Sequence, residues 1–487
     1  MTLRLVRRLI LLCSAVVGVG LSGPALAAAT LPEPVRAALA AAAIPEAHVA
    51  VWAAPVEGGT PLAHNAAAPM NPASVMKLVT AFATLEHFGP AHTWTTRIGH
   101  TGVLHADGRL EGDLILIGAG DPTLTYAQLW QLLRRVRLLG VQHIDGDIVI
   151  DGSALKLPAH DPFAFDGRGL RPYNSGPHGM LVHFNTLQLL LHPADETGDA
   201  VGVIPAPPLH GIEIDNRLTT SDAPCGTWFN ALDARLDTRS ARPRLILEGH
   251  LPARCGPRPW GASPFPPDLF ANAVLPALWG ETGGTLAGQV RHAHASANAR
   301  TDFTLLIEHE SRALSEIVRE MNKWSSNVIA RQLLALLGAS ASPQADDMVA
   351  AGARAATALL EQTGAGGHGA VIENGSGLSR DERLSAAQLG AMLRHVWRQP
   401  YMPDFIASLP QVGEDGTAAQ RLQHSPARGH AHLKTGTIDN VRAIAGYVLD
   451  RHGRRHAVAM LVNDPRAGAS TAAQDAWVEW IWNGANH

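Results

Sequence analysis

Pro72-Ala73-Ser74-Val75-Met76-Lys77-Leu78-Val79-Thr80 is the stretch on which the reading of this chain turns. From Val75 to Phe88 the sequence is apolar nearly all round, which predicts a helix inside a core rather than on a surface. Residues three apart share a helix face, so a helix starting near Ser74 brings Lys77 beside the Ser74 hydroxyl. A lone lysine in a core is unfavourable unless it is paired or neutral. Desolvation favours the neutral amine, which can then take the serine proton and make the oxygen a nucleophile. The same residues also read as a helix cap followed by a snorkelling surface lysine, so the pair decides nothing alone.

Two more motifs follow in order. Leu314 to Trp324 has helical periodicity, with Ile317, Val318, Met321 and Trp324 on one face. The helix stops at Ser325-Ser326-Asn327 and resumes through Val328 to Leu337. Leu433-Lys434-Thr435-Gly436-Thr437 then precedes two strands, Ala443 to Leu449 and Ala457 to Val462, which sets Lys434 at or beside a strand edge open to substrate. Ser-x-x-Lys, Ser-x-Asn and Lys-Thr-Gly in this order form the set known in serine β-lactamases and penicillin-binding proteins. The chemistry suits acyl transfer. Ser74 attacks a carbonyl and Lys77 accepts its proton. Ser325 relays a proton toward the leaving amine, with Lys434 tuning it. Asn327 holds Lys77 or the substrate amide. Lys434 and Thr435 bind a substrate carboxylate, and Gly436 admits a close backbone approach. The N–H groups of Ser74 and Thr437 make an oxyanion hole.

The rest of the chain sets bounds. It has 487 residues, enough for two or three domains, and its 17% charged and 46% hydrophobic content is ordinary for a globular protein. A net charge of −4 gives no basic surface for nucleic acid. Arg4, Arg7 and Arg8, the apolar run Leu9 to Leu21, and Ala25-Leu26-Ala27 read as a secretory signal over residues 1–27. That implies an exported, periplasmic protein with no transmembrane segment once the signal is cut; peripheral membrane association stays open, as does the oligomeric state. Cys225 and Cys255 are the cysteines left in the mature chain, and in an exported protein such a pair predicts one disulfide.

The texture changes after Gly89-Pro90. Asp107-Gly108 reads as a hairpin turn between Gly102-Val103-Leu104 and Asp113 to Ile117. Thr125 to Val136 reads as a helix and Asp147 to Asp151 as a strand. From about residue 152 to 260 the chain is rich in Pro, Gly and His, which suggests a β-rich insertion. A helix over Asp268 to Trp279 and a strand at Phe303 to Ile307 follow.

These residues together resemble the D-alanyl-D-alanine carboxypeptidase/endopeptidases, the class C low-molecular-mass penicillin-binding proteins with large insertions. Gly118 to Leu124, Gly375 to Arg380, and Leu409-Pro410 with Gly413 to Thr417 look like secondary signatures of the same group. The resemblance implies an α+β multidomain chain whose catalytic domain, an antiparallel sheet flanked by helices, carries two smaller domains between the first and second motifs. The expected division is a catalytic domain over 28–92 and 290–487, an α/β insertion over 93–165 and 258–289, and an inner β-rich insertion over 166–257. It implies a serine DD-peptidase acting on peptidoglycan peptides, acylated at Ser74 by β-lactams, with no cofactor and no metal. Arg380 matches an arginine near the side-chain end of the substrate, and a structural salt bridge explains it equally well. One departure is Ser326, where the family commonly has Asp.

Competing readings are weaker. No Gly-x-Ser-x-Gly elbow is present in the mature chain for a Ser-His-Asp hydrolase. The 24 histidines, including His292 with His294 and His430 with His432, include no His-Glu-x-x-His zinc motif. A dead scaffold on a catalytic fold is at odds with a complete set of catalytic side chains. A β-lactamase shares the acylation machinery but does not need the inserted segments.

Overall fold

The computed structural model describes residues 30–240, 242–292, 303–365 and 369–484. The signal-like residues 1–27 and His294 lie outside the described residues. The architecture is α+β, with several sheets and flanking helices.

The central sheet has five antiparallel strands in the order Ala431–Ile438, Val441–Leu449, Arg455–Asn463, Val49–Pro55 and Leu62–His64. Early and late chain meet directly: Val51 pairs with Met460 and Trp52 with Ala459. Side chains alternate across a strand, so both faces of Val49–Pro55 must be covered. Val49, Val51 and Ala53 pack with Val35, Leu39, Trp477 and Ile481 from the helices Glu33–Ala41 and Thr471–Trp482. Ala50, Trp52 and Ala54 face the opposite core, which holds Phe82, Leu333 and Leu389.

That second core contains the helix Met76–Phe88, entered through a single 3₁₀ turn at Ala73–Val75. Every residue from Met76 to Leu85 is buried, as its all-round apolar sequence predicts.

Residues between the first two motifs build further sheets. Thr95–His100, Leu114–Ile117 and Ile148–Asp151 join Val290–His292 and Thr304–Glu310 in one five-stranded sheet. The capping box of Thr125 and Gln128 starts the helix Tyr126–Leu138, which packs near the helix Pro267–Glu281. Leu187–His192 carries Gly202–Ala206 and Arg258–Ala262 on its two edges. Arg244–Pro252 lies between Glu213–Ser221 and Leu232–Asp237. One contiguous apolar core runs through all of these, from Ile98 to Ile307. Cys225 and Cys255 are joined as a disulfide, their Cα atoms 5.1 Å apart.

The expected hairpin at Asp107-Gly108 differs in its return strand. Val103–Leu104 pairs with Arg109–Glu111, and Leu114–Ile117 pairs instead with Thr95–His100 in a separate sheet. The bend at Gly112, where a Cβ would lie 2.1 Å from the Thr101 carbonyl, separates the two short runs.

Candidate active site

Asn71 begins the site. Its N–H and C=O exchange hydrogen bonds with the Asn463 side chain at 2.8 and 3.0 Å. Its own Oδ1 accepts the Ala73 N–H at 2.8 Å. Ala73 is fully buried with a φ of +45°, a left-handed conformation costing a non-glycine residue about 1–3 kcal/mol. The clamp around Asn71 holds that turn and aims Ser74 out of the helix start.

Lys77 and Lys434 are both fully buried, and the three motifs converge on them. Lys77 Nζ lies 3.0 Å from Ser74 Oγ and 2.6 Å from Asn327 Oδ1, and it donates to the Ser376 carbonyl. Lys434 Nζ lies 2.9 Å from Ser325 Oγ and 2.8 Å from the Thr435 carbonyl. Burial holds the Lys77 ammonium well below the ordinary lysine range, and the Lys434 and Arg331 charges push it the same way. Burial also brings Lys434 down to about 7.

Ser325 ends the helix Leu314–Trp324 in a left-handed conformation, φ +58°. Ser326 caps the next helix, Asn327–Ala341, accepting the Ile329 N–H at 3.3 Å. Serine fills an N-cap as well as aspartate does, so the departure at Ser326 leaves the turn intact. Lys323, just before it, binds Asp415 at 2.7 and 2.5 Å and ties this turn to the loop of Gly413 to Thr417.

The strand Ala431–Ile438 is the outer strand of its sheet. The Leu433 N–H points outward, to the Pro410 carbonyl at 2.8 Å. N–H direction alternates along an antiparallel strand, so the Thr435 and Thr437 amides also face the open edge. A Cβ on Gly436 would lie 2.7 Å from the Pro72 carbonyl, so only glycine lets this strand press against the serine turn. The strand thereby runs against the Ala73–Val75 turn that carries Ser74. The Thr435 hydroxyl lies 2.7 Å from that of Thr417.

Arg380 stands apart from these groups. Its guanidinium stacks 4.6 Å over Phe165 and lies 3.4 Å from the exposed Asp439 carboxylate. It lines a cavity of about 1100 Å³ with Phe165, His160, Arg331 and Glu373, next to the serine turn. Desolvation holds the half-buried His432 ring down to about 4, and among the described residues no group of three His, Cys, Asp or Glu side chains could hold a metal.

Several residues of the site escape a reading of motifs. Arg331 donates to the Tyr173 and Ser175 carbonyls at 3.0 and 2.8 Å, and the Asn327 amide donates to Tyr173 at 3.2 Å. These bonds dock the segment Tyr173–Ser175 on the second-motif helix. Arg331 interrupts an apolar helix as Lys77 does, and that signal was available. Glu382, Asn71 and Asn463 carried no such signal.

A fold with this antiparallel sheet, and a buried lysine beside a serine at a helix start, place the chain among the serine β-lactamases and penicillin-binding proteins. Comparison with known proteins carries this further. The profile of the D-Ala-D-Ala carboxypeptidase 3 (S13) family matches residues 31–483, and the chain belongs to that family. It is 29% identical over 420 residues to the D-alanyl-D-alanine carboxypeptidase of Actinomadura sp. strain R39, covering 83% of this chain and 75% of that one. It is 24% identical over 415 residues to the D-alanyl-D-alanine carboxypeptidase DacB of Haemophilus influenzae, covering 83% of each. The fold matches the crystal structure of penicillin binding protein 4 (dacB) from Haemophilus influenzae with a TM-score of 0.74 at 22% identity, over 89% of this chain and 96% of that chain.

Proposed function

We propose that this serine D-Ala-D-Ala carboxypeptidase works through an acyl-enzyme on Ser74, formed with peptidoglycan stem peptides and with β-lactams alike. The observation that carries the reading is the fully buried Lys77 amine 3.0 Å from Ser74 Oγ. Burial and two neighbouring cations favour its neutral form, so it can accept the serine proton at ordinary pH. Ser74 Oγ then bonds to the carbonyl carbon of the penultimate residue, and the oxyanion forms against the Ser74 and Thr437 amides. The C–N bond breaks as the leaving amine takes a proton through Ser325, which Lys434 holds. The terminal amino acid departs, and water hydrolyses the ester. Lys434, Thr435 and Thr417 offer donors for the substrate carboxylate. Arg380, at the rim of the adjoining cavity, reads an acidic group on the stem peptide.

The strand pairing supports two nested insertions. Trp94 to Met180 and Ser263 to Glu310 make the outer one, and Leu187 to Ala262 make the inner one. On this reading Val290–His292 and Thr304–Glu310 belong to the outer insertion, where the sequence alone puts them in the catalytic domain. It also assigns Arg258–Ala262 to the inner one. Residues 1–27 act as an export signal, which sets the enzyme beside the cell wall, where an acyl donor of this kind is found. Among the described residues no helix is long and apolar enough to cross a membrane.

Labelling of the purified protein with a fluorescent penicillin, beside Ser74→Ala, tests the reading. Covalent label on wild type that vanishes in the variant is expected. Folded wild type that takes no label defeats the acyl-enzyme, and label surviving in Ser74→Ala means another serine is the nucleophile.

A further inference from the structure

We propose that Glu382 is a positioning residue for the reaction at Ser74, fixing the segment Glu373–Ser376 on the nucleophile helix and supplying the counter-charge to Lys77. The proposal rests on the acyl-enzyme reading above. Glu382 is fully buried. Its Oε1 accepts the N–H groups of Glu373, Asn374 and Gly375 at 3.3, 3.1 and 3.0 Å. Burial pushes the Glu382 carboxyl upward, and the three amides converging on one of its oxygens, which favour the ionised form, offset that push only in part. Its Oε2 is buried with no hydrogen-bond partner.

The segment so held touches the nucleophile helix twice. The Thr80 hydroxyl donates to the Gly375 carbonyl at 2.7 Å, and Lys77 donates to the Ser376 carbonyl. A line of hydrogen bonds thus runs from the Glu382 carboxylate, through one loop, to the general base. The carbonyl at its end can keep the amine aimed at Ser74 and hold the ammonium that proton transfer creates.

The charges around Lys77 are uneven. Lys434 faces it from the edge strand and Arg331 from the helix Asn327–Ala341, and both favour the neutral amine. Glu382 opposes them. Glu373 faces Glu382 and Arg331 in turn. A general base must be neutral at rest yet basic enough to take a proton. Two cations and burial supply the first property, and Glu382 preserves the second.

The test is the pH dependence of the acylation rate with a fluorescent penicillin, for wild type, Glu382→Gln and Thr80→Val. Glutamine keeps an oxygen for the three amides and removes the charge. The rising limb, which reports loss of the Lys77 proton, is expected about half a pH unit or more lower in Glu382→Gln, with a plateau reduced about tenfold. Thr80→Val cuts the second anchor without changing charge, so its limb is expected at the wild-type position. An unmoved limb in folded Glu382→Gln overturns the proposal, as does an equal shift in Thr80→Val. If neither Glu382→Gln nor Glu382→Asn folds while Thr80→Val does, Glu382 serves stability alone and the proposal also fails. Wild-type label and its loss in Ser74→Ala report on the acyl-enzyme separately, so either idea can fail without the other.

Discussion

The Lys77 amine meets the Asn327 side-chain oxygen at 2.6 Å, across 250 positions of sequence. The amide cannot turn round freely, because its nitrogen donates to the Tyr173 carbonyl at 3.2 Å. The acceptor side therefore faces the lysine, and the amine is held by a neutral group. Asn327→Asp would put a carboxylate in the same place and hold Lys77 as the ammonium. Acylation by penicillin should fall about 10²–10⁴-fold at neutral pH and recover in part above pH ~9. Stopped-flow labelling at both pH values checks this; equal rates in wild type and variant would dismiss Lys77 as the base.

Lys434 links stability to pH. Burial lowers its pKa from 10.5 to about 7, so the unfolded chain holds more protons than the folded one between those values. Stability arising from this group therefore rises with pH across that window, and its full penalty is felt below about 7. Lys434→Met removes the effect. Urea midpoints at about pH 7 and pH 9 should show wild type gaining on the variant, and parallel midpoints would refute the depressed pKa.

Arg380 distinguishes two explanations that its sequence leaves open. The pairing with Asp439 is 3.4 Å long, and the aspartate side chain is 87% exposed, a geometry worth well under about 1 kcal/mol. Arg380→Ala should leave the melting temperature within a degree or two, and penicillin labelling within about threefold. Turnover of a stem peptide with an acidic side chain should drop about tenfold or more through KM. A large loss of stability with unchanged peptide turnover would make the arginine purely structural.

Gly377 underlies the serine turn. Its φ is +81°, and a Cβ there would stand 1.9 Å from the Ala73 carbonyl. Gly377→Ala must push the turn and lift the loop from it. We expect about 2 kcal/mol or more of destabilisation, with loss of label in whatever fraction stays folded. A fully active Gly377→Ala would contradict the close approach.

The disulfide stabilises without serving the chemistry. Cys225 and Cys255 are 30 positions apart, and closing a loop of that size is worth about 2–4 kcal/mol. Cys225→Ser with Cys255→Ser should lower the thermal midpoint, while folded protein labels at the wild-type rate. Slower labelling of the folded double variant would tie the inner strands to the reaction.

The sequence is most informative where an ion interrupts an apolar helix. Lys77 among Val75, Met76, Leu78 and Val79 announces its role because burial of a lysine demands a reason. The Ser325 turn and the Lys434 strand are legible by order and spacing. Strand pairing is another matter. Val103–Leu104 lies within reach of two later runs, and it pairs with Arg109–Glu111, before the bend at Gly112, rather than with Leu114–Ile117. Thr304–Glu310 pairs with Thr95–His100 across some two hundred residues, a choice made by tertiary packing rather than local pattern. Glu382 is unreadable for a related reason: among exposed Asp381 and half-buried Arg383 it looks like one more surface charge until the loop folds over it.

The pairing of Val49–Pro55 with Arg455–Asn463 has a consequence for biogenesis. The serine is made early and its partners late, so the nascent polypeptide holds Ser74 without Lys434 or the strands that carry it. The three motifs come together only when the last strands dock on Val49–Pro55. A chain cut short before Ala431 would hold Ser74 without Lys434 or the strands that complete the central sheet.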